Sequence, residues 1–215
     1  MEDKVLKRLV EDELEWEPSV NAAGIGVSAE NGIVHLTGPV GHYGQMFAVE
    51  KVVKRIKGVR GYVPDLEVRL APEIDSDEAI AGRIANIMDW DVTVPNASIT
   101  VKVHEGRVTL TGEVEWAYQR TAAETGLRQL TGVRSISNQI TLTPRAKTID
   151  IKRRIVDALE RRADVAASHV TISVVGPKVT LEGALPTWAE RDAVEHAVWA
   201  TPGVTAVEDL TTIGP

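Results

Sequence analysis

The chain has 215 residues, no cysteine and a net charge of −7 at neutral pH. Lack of cysteine removes any disulfide framework, thiol nucleophile or cysteine metal site, and the acidic balance argues against non-specific nucleic-acid binding through a global basic field. Apolar residues make up 43% and aromatics only 4%, a composition for folded units with small aliphatic cores.

Read from its start, Met1-Glu2-Asp3-Lys4 opens into an amphipathic pattern, not a signal peptide, and a cytoplasmic location is the expectation. Leu6, Val10 and Leu14 recur at helical spacing and predict a first helix. Ile25, Val27 and Ala29 alternate as in a strand. Asn31-Gly32 then marks a tight turn, where positive φ is easy. The return strand is Val34-His35-Leu36-Thr37-Gly38, with the glycine expected to end it. Ala48, Val49, Val52, Val53 and Ile56 predict a second helix, with Ala48 admitting close approach to the sheet and Gly58 stopping the helix. Leu66, Val68 and Leu70 form the last strand.

That order then recurs twice. Val-x-Leu-x-Gly returns as Val108–Gly112 and Val179–Gly183, so its glycines lie 74 and 71 residues apart. Each is followed after ten residues by alanine (Ala48, Ala122, Ala193) and after twenty by Gly-Val (Gly58-Val59, Gly132-Val133, Gly203-Val204). Three units fit, 3–70, 77–144 and 148–215, joined by Ala71–Ser76 and Arg145–Lys147. The expected fold class is α+β: three tandem αββαβ units, each a three-stranded mixed sheet with two helices on one face. Asp77 is expected to cap the first helix of unit two. Trp16 and Trp90 share one repeat position and are expected in a core or an inter-unit interface, with Arg161 in their place in unit three. Leu210, one place off Leu66 and Ile140, predicts that the last strand of unit three drifts out of register.

These residues carry a resemblance. Val-x-Leu-x-Gly, the alanine in the next helix, Gly-Val and a short strand with Asn138 resemble the BON (bacterial OsmY and nodulation) domain, in three copies over nearly the whole chain. The resemblance implies the αββαβ fold, a non-catalytic protein, and binding to phospholipid surfaces or to partners in the cell envelope, often under osmotic stress and in a transport-associated setting.

The residues add no enzyme to this. His35, His42, His104, His169 and His196 occupy no common repeat position and lack the i, i+4 spacing of a helical zinc site. No nucleophile elbow or phosphate-binding loop occurs, so no catalytic residue, metal or cofactor is assigned. Gly38-Pro39-Val40-Gly41 follows a strand instead of joining two helices, which speaks against RNA binding.

Candidate contact residues come from two features. Lys51, Lys54, Arg55, Lys57 and Arg60 form an acid-free stretch, and a second basic cluster runs through Lys152, Arg153, Arg154, Arg161 and Arg162 among Asp150, Asp157 and Glu160. Such clusters either attract anionic lipid or pair with acids of a neighbouring unit. Rings follow each repeated glycine at the strand-to-helix turn: Tyr43, Trp116 with Tyr118, and Trp188. They suit a membrane headgroup region or fold over the second helix under Arg120 or Arg191. The lipid- or partner-binding candidates are therefore Tyr43, Lys51, Lys54, Arg55, Lys57, Trp116 and Trp188. A membrane phospholipid surface or an envelope protein is the expected partner, and a protein-interaction scaffold without lipid binding is the alternative.

Overall fold

In the computed structural model, residues 2–69, 76–143, 151–161 and 170–214 are described. Leu70, Asp150, Arg162, His169, the linker Arg145–Lys147 and most of Ala71–Ser76 lie outside them. The first repeat comprises α1 (Asp3–Glu15), β1 (Gly26–Glu30), β2 (Ile33–Val40), α2 (Tyr43–Arg55) and β3 (Gly61–Val68). The second comprises α3 (Asp77–Trp90), β4 (Ile99–His104), β5 (Arg107–Val114), α4 (Ala117–Thr125) and β6 (Ser135–Leu142). The third comprises α5 (Ile151–Glu160), β7 (Val170–Val175), β8 (Lys178–Leu185), α6 (Trp188–Trp199) and β9 (Ala206–Ile213).

Each repeat builds its own three-stranded sheet, with the Val-x-Leu strand in the middle. In repeats one and three the hairpin is antiparallel, and the strand after the second helix returns parallel to the central one. Alternation sends Val34 and Leu36 into the core and leaves His35 and Thr37 exposed. Leu6, Val10 and Leu14 of α1 and Val49, Val52 and Val53 of α2 close over that apolar face. Ile151, Ile155, Leu159, Val194 and Val198 do the same in repeat three. Ala48 is only partly buried against this core, and its neighbour Val49 is the fully enclosed residue. The edge strand β3 tolerates Pro64, whose missing N–H removes no donor from the sheet interior.

The chain falls into two compact units, one of Met1–Thr111 with Ala123–Gln139 and one of Gly112–Ala122 with Ile140–Pro215, so that repeat two contributes to both.

Three expectations change. The repeated glycine does not end its strand: Gly38 lies inside β2, two residues before its last residue, at φ 118. The helix-ending glycines behave as expected, with Gly58, Gly132 and Gly203 at φ 101, 91 and 97. The last strand does not drift. Leu181 pairs with Asp209 and Gly183 with Thr211, in step with Leu36–Pro64 and Gly38–Leu66 of repeat one. Thr211 takes the core position at 6% exposure and Leu210 faces out at 54%. The Thr211 hydroxyl meets its polar need by donating to Asp209 Oδ1 at 2.6 Å.

Finally, Asp77 does not cap its helix. The Ser76 hydroxyl accepts from the Ala79 N–H at 3.2 Å, while the Asp77 carboxylate accepts from the Glu105 and Gly106 N–H groups at 2.8 and 2.9 Å. Those two residues stand at φ 51 and 74, the signs of a type I′ turn, so their N–H groups converge on an anion. Asp3 holds the Asn31-Gly32 turn in the same way, at 2.9 and 3.1 Å.

The Gly106 and then the Glu105 N–H hold the Asp77 carboxyl below its ordinary pKa. A depressed pKa gives stability that is fully present above the ordinary carboxylate range and is lost as pH falls through the folded-state value. Asp77→Ala is therefore expected to melt lower than wild type at neutral pH, the gap closing in acid. Melting curves of both proteins from neutral to strongly acidic pH check this, and a gap independent of pH would count against it.

Candidate functional site

The predicted rings are already engaged. Tyr43 opens α2, is half-buried, and meets Phe47 edge-on at 5.2 Å. Burial raises its hydroxyl pKa, with a backbone hydrogen bond from Ile136 working the other way. Within this compact unit Arg128 lies 3.6 Å above the Phe47 ring and is ion-paired with Glu124 at 2.9 Å. A Cβ on Gly44 would stand 2.9 Å from the Arg128 carbonyl oxygen, so this end of α2 packs closely on the turn after α4.

Trp116, just before α4, is half-buried and stacks on Tyr118 at 6.5 Å, with its backbone N–H donating to Gln119 Oε1. It shares a cleft of about 10 Å³ with Trp199 and Gly203, too small for an organic ligand. Trp188 opens α6, with Arg191 at 5.2 Å from its ring and the same guanidinium bonded to Asp209 at 2.8 Å. Arg120 stacks on Trp199, at 4.8 Å. The turn rings thus fold over the second helices.

The cations divide. Arg55 is tied to Glu13 at 3.1 Å and Glu17 at 3.6 Å, joining the end of α2 to α1. The Lys54 ammonium sits 5.9 Å from the Tyr62 ring. Lys51 and Lys57 are exposed. Along α2, which runs from Tyr43 to Arg55, Lys51 and Lys54 follow the Tyr43 ring by about two and three turns.

Tyr118 keeps 56% of its surface exposed, but the most open rings are elsewhere. Trp16 is 83% and Trp90 87% exposed, with Val92 beside the latter at 98%. Neither tryptophan is in a core. The buried stripe of α1 runs Leu6, Val10, Leu14 and that of α3 runs Ile80, Ile84, Met88, and a residue two places past its last member faces away. Arg161 at the equivalent position of repeat three was the signal for exposure that the sequence already held.

A family comparison finds the same three repeats. The BON domain model matches residues 2–69, 76–144 and 149–215. The chain belongs to the BON family. Osmotically-inducible protein Y of Escherichia coli (strain K12) is 28% identical over 145 residues, covering 65% of this BON chain and 72% of that protein. CdsD, a structural protein of the type III secretion system of Chlamydia trachomatis, aligns over 98% of this chain and 93% of its own at 13% identity, with a TM-score of 0.27. Its C-terminal domain gives 0.28, also at 13% identity, over the full length of both chains. Likeness at that level carries no argument about the three BON repeats.

Proposed function

We propose that this BON protein is a non-catalytic binding protein that touches phospholipid surfaces and acts under osmotic or other stress. The observation that carries the reading is the pair Trp16 and Trp90, two large rings at one repeat position, more than four-fifths exposed. Exposing an indole to water forgoes a large apolar burial, whereas the headgroup region accepts both its ring and its N–H. Lys51 and Lys57 add a longer-range attraction that salt weakens. The net charge of −7 opposes approach to anionic lipid, so binding is weak and oriented. The stress setting is carried over from the name of the Escherichia coli relative.

Co-sedimentation with phosphatidylcholine vesicles, with and without anionic lipid, tests this. Trp16→Ala/Trp90→Ala is expected to lose binding to both. Lys51→Glu/Lys54→Glu/Lys57→Glu is expected to weaken only the salt-sensitive part. At about 1 kcal/mol per basic residue near anionic lipid, losing the two open lysines alone costs roughly thirtyfold at low salt, and the charge reversal of the triple variant costs at least that. A wild type that stays in the supernatant at low and moderate salt defeats the lipid reading, and a scaffold for envelope proteins then becomes the better account.

A further inference from the structure

Repeats one and three present the same groove between their two helices, with different linings. In repeat one it measures about 370 Å³ and is lined by Leu9, Glu13, Arg55, Ile56 and Lys57. The Arg55–Glu13 ion pair bridges it at 3.1 Å. In repeat three it measures about 430 Å³, and Ala158 and Ala200 occupy the positions of Glu13 and Arg55. The bridge is gone, and the opening is lined by Arg154 where repeat one has Leu9, by Arg161 where it has Trp16, and by the His196 imidazole where it has Lys51.

Both guanidiniums are exposed and make no ion pair or side-chain hydrogen bond with a described residue. In repeat two the counterpart, Arg83, donates to the Thr131 carbonyl oxygen at 3.1 Å. Asp157 also lines the groove, a single carboxylate against two arginines. Arg154 lies on α5 and Arg161 is the first residue past its end, seven residues and about 10 Å along the helix direction. Both line the one opening, so a small anion seated there has two guanidiniums beside it.

We infer that the α5–α6 groove of repeat three binds a phosphate group. Guanidinium forks match the oxygens of a phosphate pairwise, and a phosphate offers acceptors to two forks and an imidazole N–H at once. Where the phosphate belongs to a lipid headgroup, the inference rests on the membrane reading above and gives it a second contact. Where it belongs to a soluble phosphate compound, the groove stands alone.

The test titrates the full chain with inorganic phosphate by calorimetry at constant ionic strength. In parallel, the same protein is sedimented with vesicles of phosphatidylcholine alone or with added phosphatidic acid. Wild type is expected to bind phosphate, and Arg154→Gln/Arg161→Gln to weaken it by roughly tenfold or more, as loss of charge-assisted hydrogen bonds demands. Ala158→Glu/Ala200→Arg leaves the net charge unchanged and rebuilds the bridge of repeat one; it is expected to weaken phosphate binding as much. Trp16→Ala/Trp90→Ala is expected to leave it unchanged.

A preference for phosphatidic acid that the arginine variant loses assigns the phosphate to lipid. Phosphate binding without vesicle binding assigns it to a soluble compound; the groove then stands and the membrane reading falls. Undiminished phosphate binding by the arginine variant, or none by a wild type that still sediments with vesicles, overturns the groove and leaves the membrane reading intact. Binding of neither overturns both.

Discussion

Gly38→Ala is expected to unfold repeat one. Gly38 stands at φ 118, a backbone conformation that L side chains rarely adopt, and a Cβ there would lie 2.1 Å from the Gly24 carbonyl oxygen. Strain at such a φ costs about 1–3 kcal/mol by itself. The clash is with backbone, which no rotamer change relieves, so the total exceeds about 4 kcal/mol. That is most of the stability of a small domain. The counterparts Gly112 and Gly183 stand at φ 138 and 139, so the requirement belongs to the motif. Gly82 supplies the contrast: it lies inside α3, and an added Cβ meets nothing within 4 Å. Gly82→Ala is expected to stabilise by about 0.5–1 kcal/mol through helix propensity. Urea unfolding followed by circular dichroism reads both changes. A Gly38→Ala protein as stable as wild type would show that β2 can shift away from Gly24 at little cost.

Leu181→Ala is expected to cost about 2–5 kcal/mol, the range for a truncated core leucine whose cavity stays open. Leu181 is 1% exposed, sits opposite Ile172 in the antiparallel pair, and belongs to the core closed by α5 and α6. Leu210 is a leucine of the same repeat at 54% exposure, and Leu210→Ala is expected to stay within about 0.5 kcal/mol of wild type. The pair tests the register of β9 as well as the core. Equal losses at the two leucines would mean that Leu210, not Thr211, faces inward.

That register illustrates where sequence patterns mislead. Hydrophobicity alone chose Leu210 as the core residue because Thr211 is polar. The parallel ladder chose otherwise, because one hydrogen-bond register aligns all eight residue pairs of β8 and β9. A threonine fits inside once Asp209 accepts a hydrogen bond from its hydroxyl. Asp77 was misread for a related reason. Its place before an apolar run suits a cap, but the turn at Glu105-Gly106, 28 residues away, offers two converging N–H groups. Local sequence does not display a partner at that distance.

Candidate contact residues were legible as residue types and not as surfaces. The turn aromatics stood out by recurrence, yet Tyr43 and Phe47 meet each other and Arg128, and Trp188 lies under Arg191. Arg55 belonged to the acid-free stretch until Glu13 and Glu17, far off in sequence, came within reach.

By itself the sequence determined three αββαβ repeats, their helix-ending glycines and their alternating core positions. All of these follow from local periodicity and backbone sterics, repeated three times. Tertiary structure alone decided which aromatic rings and cations remain open. That choice depends on which helix ends and turns come together, and on whether an ion pair such as Arg55–Glu13 or two alanines, Ala158 and Ala200, stand across the groove between two helices.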